Sequence, residues 1–205
     1  MAIIPKVKTV LLDAGHGIET AGKRSPVWGN GEQLLEYEYS RQLMFGIAHF
    51  LDEEGIPYRI ITPDDHDIPL KERCEIINRI VNRDRLSYLL VSIHCNASDG
   101  RGTGWEAYTS IGKTTADIFT NIFYEEACKA LPHFNIRVDN SDGDPDKEAN
   151  FYILKNSLCP AILTENLFMD NEKDCKYLLS NEGFEKIVML HVNAIKRCVD
   201  YTPRR

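Results

Sequence analysis

The sequence lacks any long apolar run. Nothing in it approaches the roughly 18 residues that would span a bilayer, so no transmembrane segment is expected. It also lacks an excess of positive charge. Twenty-four Lys and Arg face 31 Asp and Glu, a formal net charge of −7, which excludes the basic footprint of a nucleic-acid binder. None of its six cysteines (Cys74, Cys95, Cys128, Cys159, Cys175, Cys198) forms a CxxC pair. Several lie in apolar patterns where a free thiol packs as a small hydrophobe, so all six are expected to be reduced. There is no internal repeat and no low-complexity linker. The opening MAIIPKVKTV shows no signal-peptide core followed by a small-residue cleavage site. That pattern fits a chain kept in the cytoplasm, one released by another route, or a mature form without its leader.

What is present is enough chain for one domain. At 205 residues the length supports a substantial core, and a single domain over residues 1–205 is expected. Strand-like and helix-like segments alternate. Residues 7–12, 57–62, 87–94 and 104–110 read as strands, as do FYIL and AILTE. Residues 33–54, 69–83 and 113–131 carry helical patterns, and 170–199 hold one or two helices. This alternation predicts an α/β fold with a twisted, mostly parallel sheet flanked by helices on both faces. Residues 15–32, rich in glycine and containing Pro26 and Trp28, read as a loop. So does the acidic stretch 138–150. With Gly143 at the sixth place of a calcium loop, Val138 falls where the first ligand belongs, so EF-hand spacing fails.

Three apolar runs end on chemistry. LLDAGHG brings His16, VSIHCNA brings His94, and AILTE ends on Glu165. The carboxyl edge of an open α/β sheet is where ligands bind. Two histidines invite a metal, but catalytic zinc usually takes three protein ligands and keeps one position open. Glu36 is in phase with Ser40, Leu43, Ile47 and Phe50, on the apolar stripe of its helix, whereas Glu38 shares a mainly polar face. A carboxylate on the core side is costly unless paired. Glu36 is therefore either a metal ligand or an acid stabilised by the helix dipole. Cys95 should point away from any site His94 reaches, because strand neighbours face opposite ways. Glu165 is either a general base beside a metal-activated water or a hydrogen-bond partner of a nearby loop. His49, His66, His133 and His191 are expected to have no part in metal binding. A competing reading pairs His16 with Glu19 in an HxxE motif and with His94, as in zinc carboxypeptidases; Glu19 would then replace Glu36.

Taken together, LLDAGHG, EYEYS with Glu36, SIHCNAS and PAILTENLFMDN resemble the zinc-dependent N-acetylmuramoyl-L-alanine amidases (amidase type 3). The likeness runs over nearly the whole chain and includes LKERCEIINRI before His94. The EYEY, NASDGRGTGWEAY and FYIL stretches are most similar to the amidases of phage lysins. The resemblance implies a six-stranded sheet, one Zn2+ held by His16, Glu36 and His94, and Glu165 as catalytic acid. It implies peptidoglycan as partner and the bond between N-acetylmuramic acid and L-alanine as target. The chain would then act on the bacterial wall, as a phage or prophage lysin made in the cytoplasm or as a secreted enzyme without its leader. A non-enzymatic wall-binding module on the same fold is disfavoured, because all four residues are in place. Departures from the family pattern are Ser40 where asparagine is common, the glycine-free segment after Glu165, and a long loop containing KRSPVWGNG. Around the site, Asp13 would order the His16 loop or cap a turn. Trp28 would meet substrate or plug its loop, and Asn96 would contact substrate or close the NASDG turn. Lys23 and Arg24 would face an acidic stem peptide or remain solvated.

Overall fold

The computed structural model describes residues 6–29, 31–81 and 84–202. The first five residues, on which the leader expectation partly falls, and residues 82 and 83, the end of the helix expected over 69–83, lie outside them. The chain runs β1 (Thr9–Ala14), α1 (Glu36–Glu53), β2 (Tyr58–Ile60), α2 (Leu70–Val81), β3 (Tyr88–Asn96), β4 (Glu106–Thr109), α3 (Thr115–Ala130), β5 (Lys147–Glu148), α4 (Tyr152–Asn156), β6 (Ala161–Phe168), α5 (Glu172–Leu178) and α6 (Asn181–Val199).

These strands form one six-stranded sheet in the order β2-β1-β3-β6-β4-β5. β2, β1, β3 and β6 pair in parallel. β4 runs antiparallel to β6, and β5 runs parallel to β4. The expected α/β class and mostly parallel sheet are therefore what the chain adopts.

The two-residue alternation of the strands sorts the core into two layers. Val10, Leu12, Leu89, Val91, Ile93 and Ile162 pack with residues of α1, α3, α5 and α6. Leu11, Leu90, Ala161 and Leu163 pack instead with Cys74, Ile77 and Val81 of α2 and with Ile153 and Leu154 of α4. His94 and Glu165 share the parity of Leu90 and Leu163, so the strand pattern aims them at the α2/α4 side. Cys95 has the opposite parity and lies in the larger core, as expected. All six cysteines are free.

Chain order places the site. β1-α1-β2 steps one way along the sheet and β2-α2-β3 steps back over β1, so strand order reverses between β1 and β3. A crevice opens at such a switch point, and His16 and His94 lie at its two sides.

One strand expectation is corrected. FYIL belongs to the short helix α4, with Phe151 as its N-cap. A four-residue apolar run carries no period that separates strand from helix. Tertiary contacts decide it: Asn78 of α2 donates to the Asn156 carbonyl at 2.9 Å and accepts from the Leu158 amide at 2.8 Å. The sixth strand is instead β5, in the acidic stretch read as loop. No helix among the described residues is long and apolar enough to cross a membrane.

Candidate functional site

The end of β1 is shaped to bring His16 beside His94. A Cβ on Gly15 would lie 2.3 Å from the His94 ring, so only glycine lets the imidazole lie over this backbone. His16 itself has φ of 63°, a left-handed conformation that non-glycine residues rarely adopt. On the other side, a Cβ on Gly17 would lie 2.1 Å from the Asp67 amide nitrogen.

Glu36 arrives from the first turn of α1. That helix has no side-chain cap; its first amide donates to the Lys23 carbonyl at 3.0 Å, so the loop after His16 closes the helix end. Glu36 is 1% exposed. Its Oε1 lies 3.4 Å from His16 Nε2 and 3.2 Å from His94 Nδ1, and it accepts from the Cys95 amide at 3.2 Å. Its Oε2 is buried without a partner. The two imidazoles meet edge to face, with ring centres 5.1 Å apart. Ligand atoms of His16, Glu36 and His94 all lie within 4.8 Å of one another, so this cluster could hold a metal ion.

The charges in this cluster are interlocked. Burial would raise the Glu36 carboxyl, but the hydrogen bonds from His16 and His94 outweigh it and hold the group below the usual carboxylate range. Burial would lower His94, but its bond to Glu36 and the nearby charges of Glu165 and Glu36 raise it.

Glu165 stands opposite. It is the register partner of His94 across β3 and β6. Its Oε2 is buried without a hydrogen-bond partner. Burial pushes its carboxyl up to about 7; Glu36 and Glu106 push the same way, while His94 and Lys23 oppose them. His16, His94 and Glu165 face a common cavity of about 220 Å³. Leu70, Phe151, Tyr152 and Ile153 form its apolar wall, and Lys23 lines it as well. Lys23 makes no ion pair among the described residues. Arg24 is exposed and does not line the cavity.

Among the neighbours the sequence marks Asp13 as a support of the His16 turn, whereas Arg41, Arg73 and Glu106 were not singled out. Asp13, fully buried, binds Arg73 Nη1 at 3.1 Å and accepts from the Ser92 hydroxyl at 2.6 Å. Arg73 in turn donates to the Ala14 carbonyl at 2.7 Å, so Asp13 orders the His16 turn through Arg73 rather than capping it. Arg41, on the face of α1 that periodicity marks as polar, is buried. Glu106, the register partner of Glu165 on β4, accepts from Arg137 and Lys147 at 2.6 Å and from Asn96 and Tyr108 at 2.7 Å. The one sequence signal was Arg73, three residues after Leu70 on the apolar side of α2.

Other expected residues fall outside the cluster. Trp28 packs against the larger core and does not line the cavity. Both polar ends of Asn96 are used internally, one on Glu106 and one on the Ala97 amide. Glu19, the acid of the HxxE reading, is turned away. It pairs with His66 at 2.6 Å, takes the Asp67 amide at 2.9 Å, and is not among the clustered ligands. His49 pairs with Glu53, His133 is exposed, and His191 is buried in the core.

The profile of the N-acetylmuramoyl-L-alanine amidase family matches residues 10–197. The chain is 30% identical over 192 residues to N-acetylmuramoyl-L-alanine amidase CwlM of Bacillus licheniformis, covering 92% of this chain and 67% of that protein. It is also 30% identical over 186 residues to the endolysin of Bacillus phage SPP1, covering 86% of this chain and 60% of the endolysin. Its fold matches the catalytic domain of CwlV, an amidase of Bacillus (Paenibacillus) polymyxa, with a TM-score of 0.78 at 20% identity over 96% of this chain and 100% of that domain.

Proposed function

The chain belongs to the N-acetylmuramoyl-L-alanine amidase family, and on that premise we propose that it cleaves peptidoglycan with one Zn2+ held by His16, Glu36 and His94. The bond cut joins the lactyl carbonyl of N-acetylmuramic acid to the amine of L-alanine. Two imidazoles and one carboxylate suit zinc, and three protein ligands leave a position open for catalysis. The orphaned, buried Glu36 Oε2 supports that fit, since a carboxylate oxygen without a partner is costly in the core. When bound, zinc supplies Lewis acidity, lowering the pKa of a water toward ~7 and polarising a carbonyl.

Glu165 does the proton work. Its carboxyl, lifted to about 7 by burial, is matched to taking a proton near neutral pH. It accepts the proton of the attacking water and returns it to the departing amine, leaving a free carboxyl on the glycan and a free amino terminus on the peptide. Its unsatisfied Oε2 is free to bind that water. The apolar wall of Leu70, Phe151, Tyr152 and Ile153 receives the peptide, and Lys23, on the rim, meets a carboxylate of the stem. Asp13 acts indirectly, through Arg73. The site of action is the bacterial wall, reached as a lysin or after export.

The observation that carries this reading is the juxtaposition of a three-ligand cluster with a separate raised acid on the neighbouring strand. Digestion of purified peptidoglycan with and without a chelator tests it. New amino-terminal alanine, lost on chelation and restored by zinc, is the expected result. New reducing sugar ends would overturn it.

A further inference from the structure

We propose that Arg41 and Arg73 are positioning residues for His16, clamping its main-chain carbonyl so that its imidazole is held in the geometry a metal requires. This rests on the reading of His16 as a ligand. The carbonyl oxygen of His16 accepts from Arg41 Nη2 at 2.9 Å and from Arg73 Nη2 at 3.2 Å. The two arginines come from α1 and α2, on opposite faces of the sheet, and are 3% and 2% exposed. His16 has φ of 63°, and such a backbone persists only where its surroundings over-determine it. Two charged donors on one carbonyl supply that constraint.

Neither guanidinium is free to let go. Arg73 also donates through Nε to the Ile68 carbonyl at 2.7 Å, through Nη1 to Ala14 and Asp13, and through Nη2 to Asp67 at 2.9 Å. Arg41 also donates through Nε to the Asp64 carbonyl at 2.5 Å, through Nη1 to Tyr37 at 3.0 Å, and through Nη2 to His66 at 3.3 Å. The residue-14–16 turn and the 64–68 loop are thus tied to both helices through two rigid forks. Here both converge on the carbonyl of the residue whose side chain faces Glu36. Lysine cannot reproduce this, because it lacks the planar fork.

The test uses Arg41→Gln and Arg41→Lys, with Arg73→Lys as a variant that keeps a cation beside buried Asp13. Zinc affinity is read by competition with a chromophoric chelator, coordination geometry by the visible spectrum of the Co2+-loaded chain, and folding by thermal unfolding of the metal-free chain. Arg41→Gln is expected to unfold cooperatively at a lowered midpoint that still leaves it folded at the assay temperature, to bind zinc about 10–100-fold more weakly, to shift the Co2+ spectrum, and to lower kcat with KM unchanged. Arg41→Lys and Arg73→Lys should fall between it and wild type. Folded variants with wild-type zinc affinity and an unchanged Co2+ spectrum would overturn the clamp alone. A wild-type chain that binds neither metal would overturn the ligand reading beneath it.

Discussion

His94 and Glu165 are register partners on adjacent parallel strands, and their side chains therefore leave the sheet on the same face. One turns toward Glu36 at 3.2 Å; the other keeps a buried oxygen with no partner. Glu106 extends the row across β4, but its charge is already met by Arg137 and Lys147. Of the two carboxylates in this row, only Glu165 lines the cavity and is available for a proton.

Gly15→Ala tests the close approach at the end of β1. The added methyl would meet the His94 ring at 2.3 Å, so the ring or the strand end must move. The variant should fold with a loss of about 1–3 kcal/mol and bind zinc about 10-fold or more weakly. Urea unfolding and chelator competition check both. Wild-type affinity would show that the ring position does not matter.

Lys23→Ala tests the cation at the cavity rim. An exposed pair contributes about 0.2–1 kcal/mol, so KM for an acidic stem peptide should rise about 1.4–5-fold while kcat holds. Amidating the stem carboxyl should abolish the difference between variant and wild type. Steady-state kinetics on the two soluble substrates measure it, and an equal effect on both would remove Lys23 from recognition.

His191 predicts a pH dependence of stability. A directional chain of hydrogen bonds ends on it. Trp105 donates to Asn166, Asn166 to the Thr164 hydroxyl, and His191 Nδ1 to the Ile187 carbonyl at 2.8 Å, leaving Nε2 to accept from Thr164 at 3.0 Å. Burial lowers its pKa from 6.5 to about 4. The unfolded chain therefore binds a proton between these values that the folded chain does not. Stability from this group is complete above pH 6.5 and falls with the pH, by up to about 3 kcal/mol, levelling off below about 4. His191→Gln should flatten that part of the urea-midpoint profile between pH 7 and pH 4. A profile parallel to wild type would assign the acid sensitivity elsewhere.

Much of the site could be read from local pattern. His16 follows β1, His94 lies near the end of β3, and Glu165 lies within β6, which runs on past its expected end to Phe168; Glu36 interrupts the apolar stripe of α1. Both signals depend only on the two-residue and 3.6-residue periods. Arg41 was hidden on a face that periodicity marks as polar, and Arg73, although on the apolar side of α2, has partners in distant loops that no period along one element records. Glu19 competed as the runner-up because HxxE spacing says nothing of direction; His66 and the Asp67 amide hold it away. FYIL was too short to show a period, and β5 is two residues long, recruited by pairing with β4 rather than by its own composition.

The division of labour between ligands and proton carrier is tested most directly by measuring bound zinc and peptidoglycan turnover together in Glu165→Gln and His94→Ala. Glu165→Gln should retain about one zinc per chain while turnover falls about 10²–10⁴-fold. His94→Ala should lose both. Full turnover in Glu165→Gln, or undiminished zinc in His94→Ala, would contradict the roles given to these two residues.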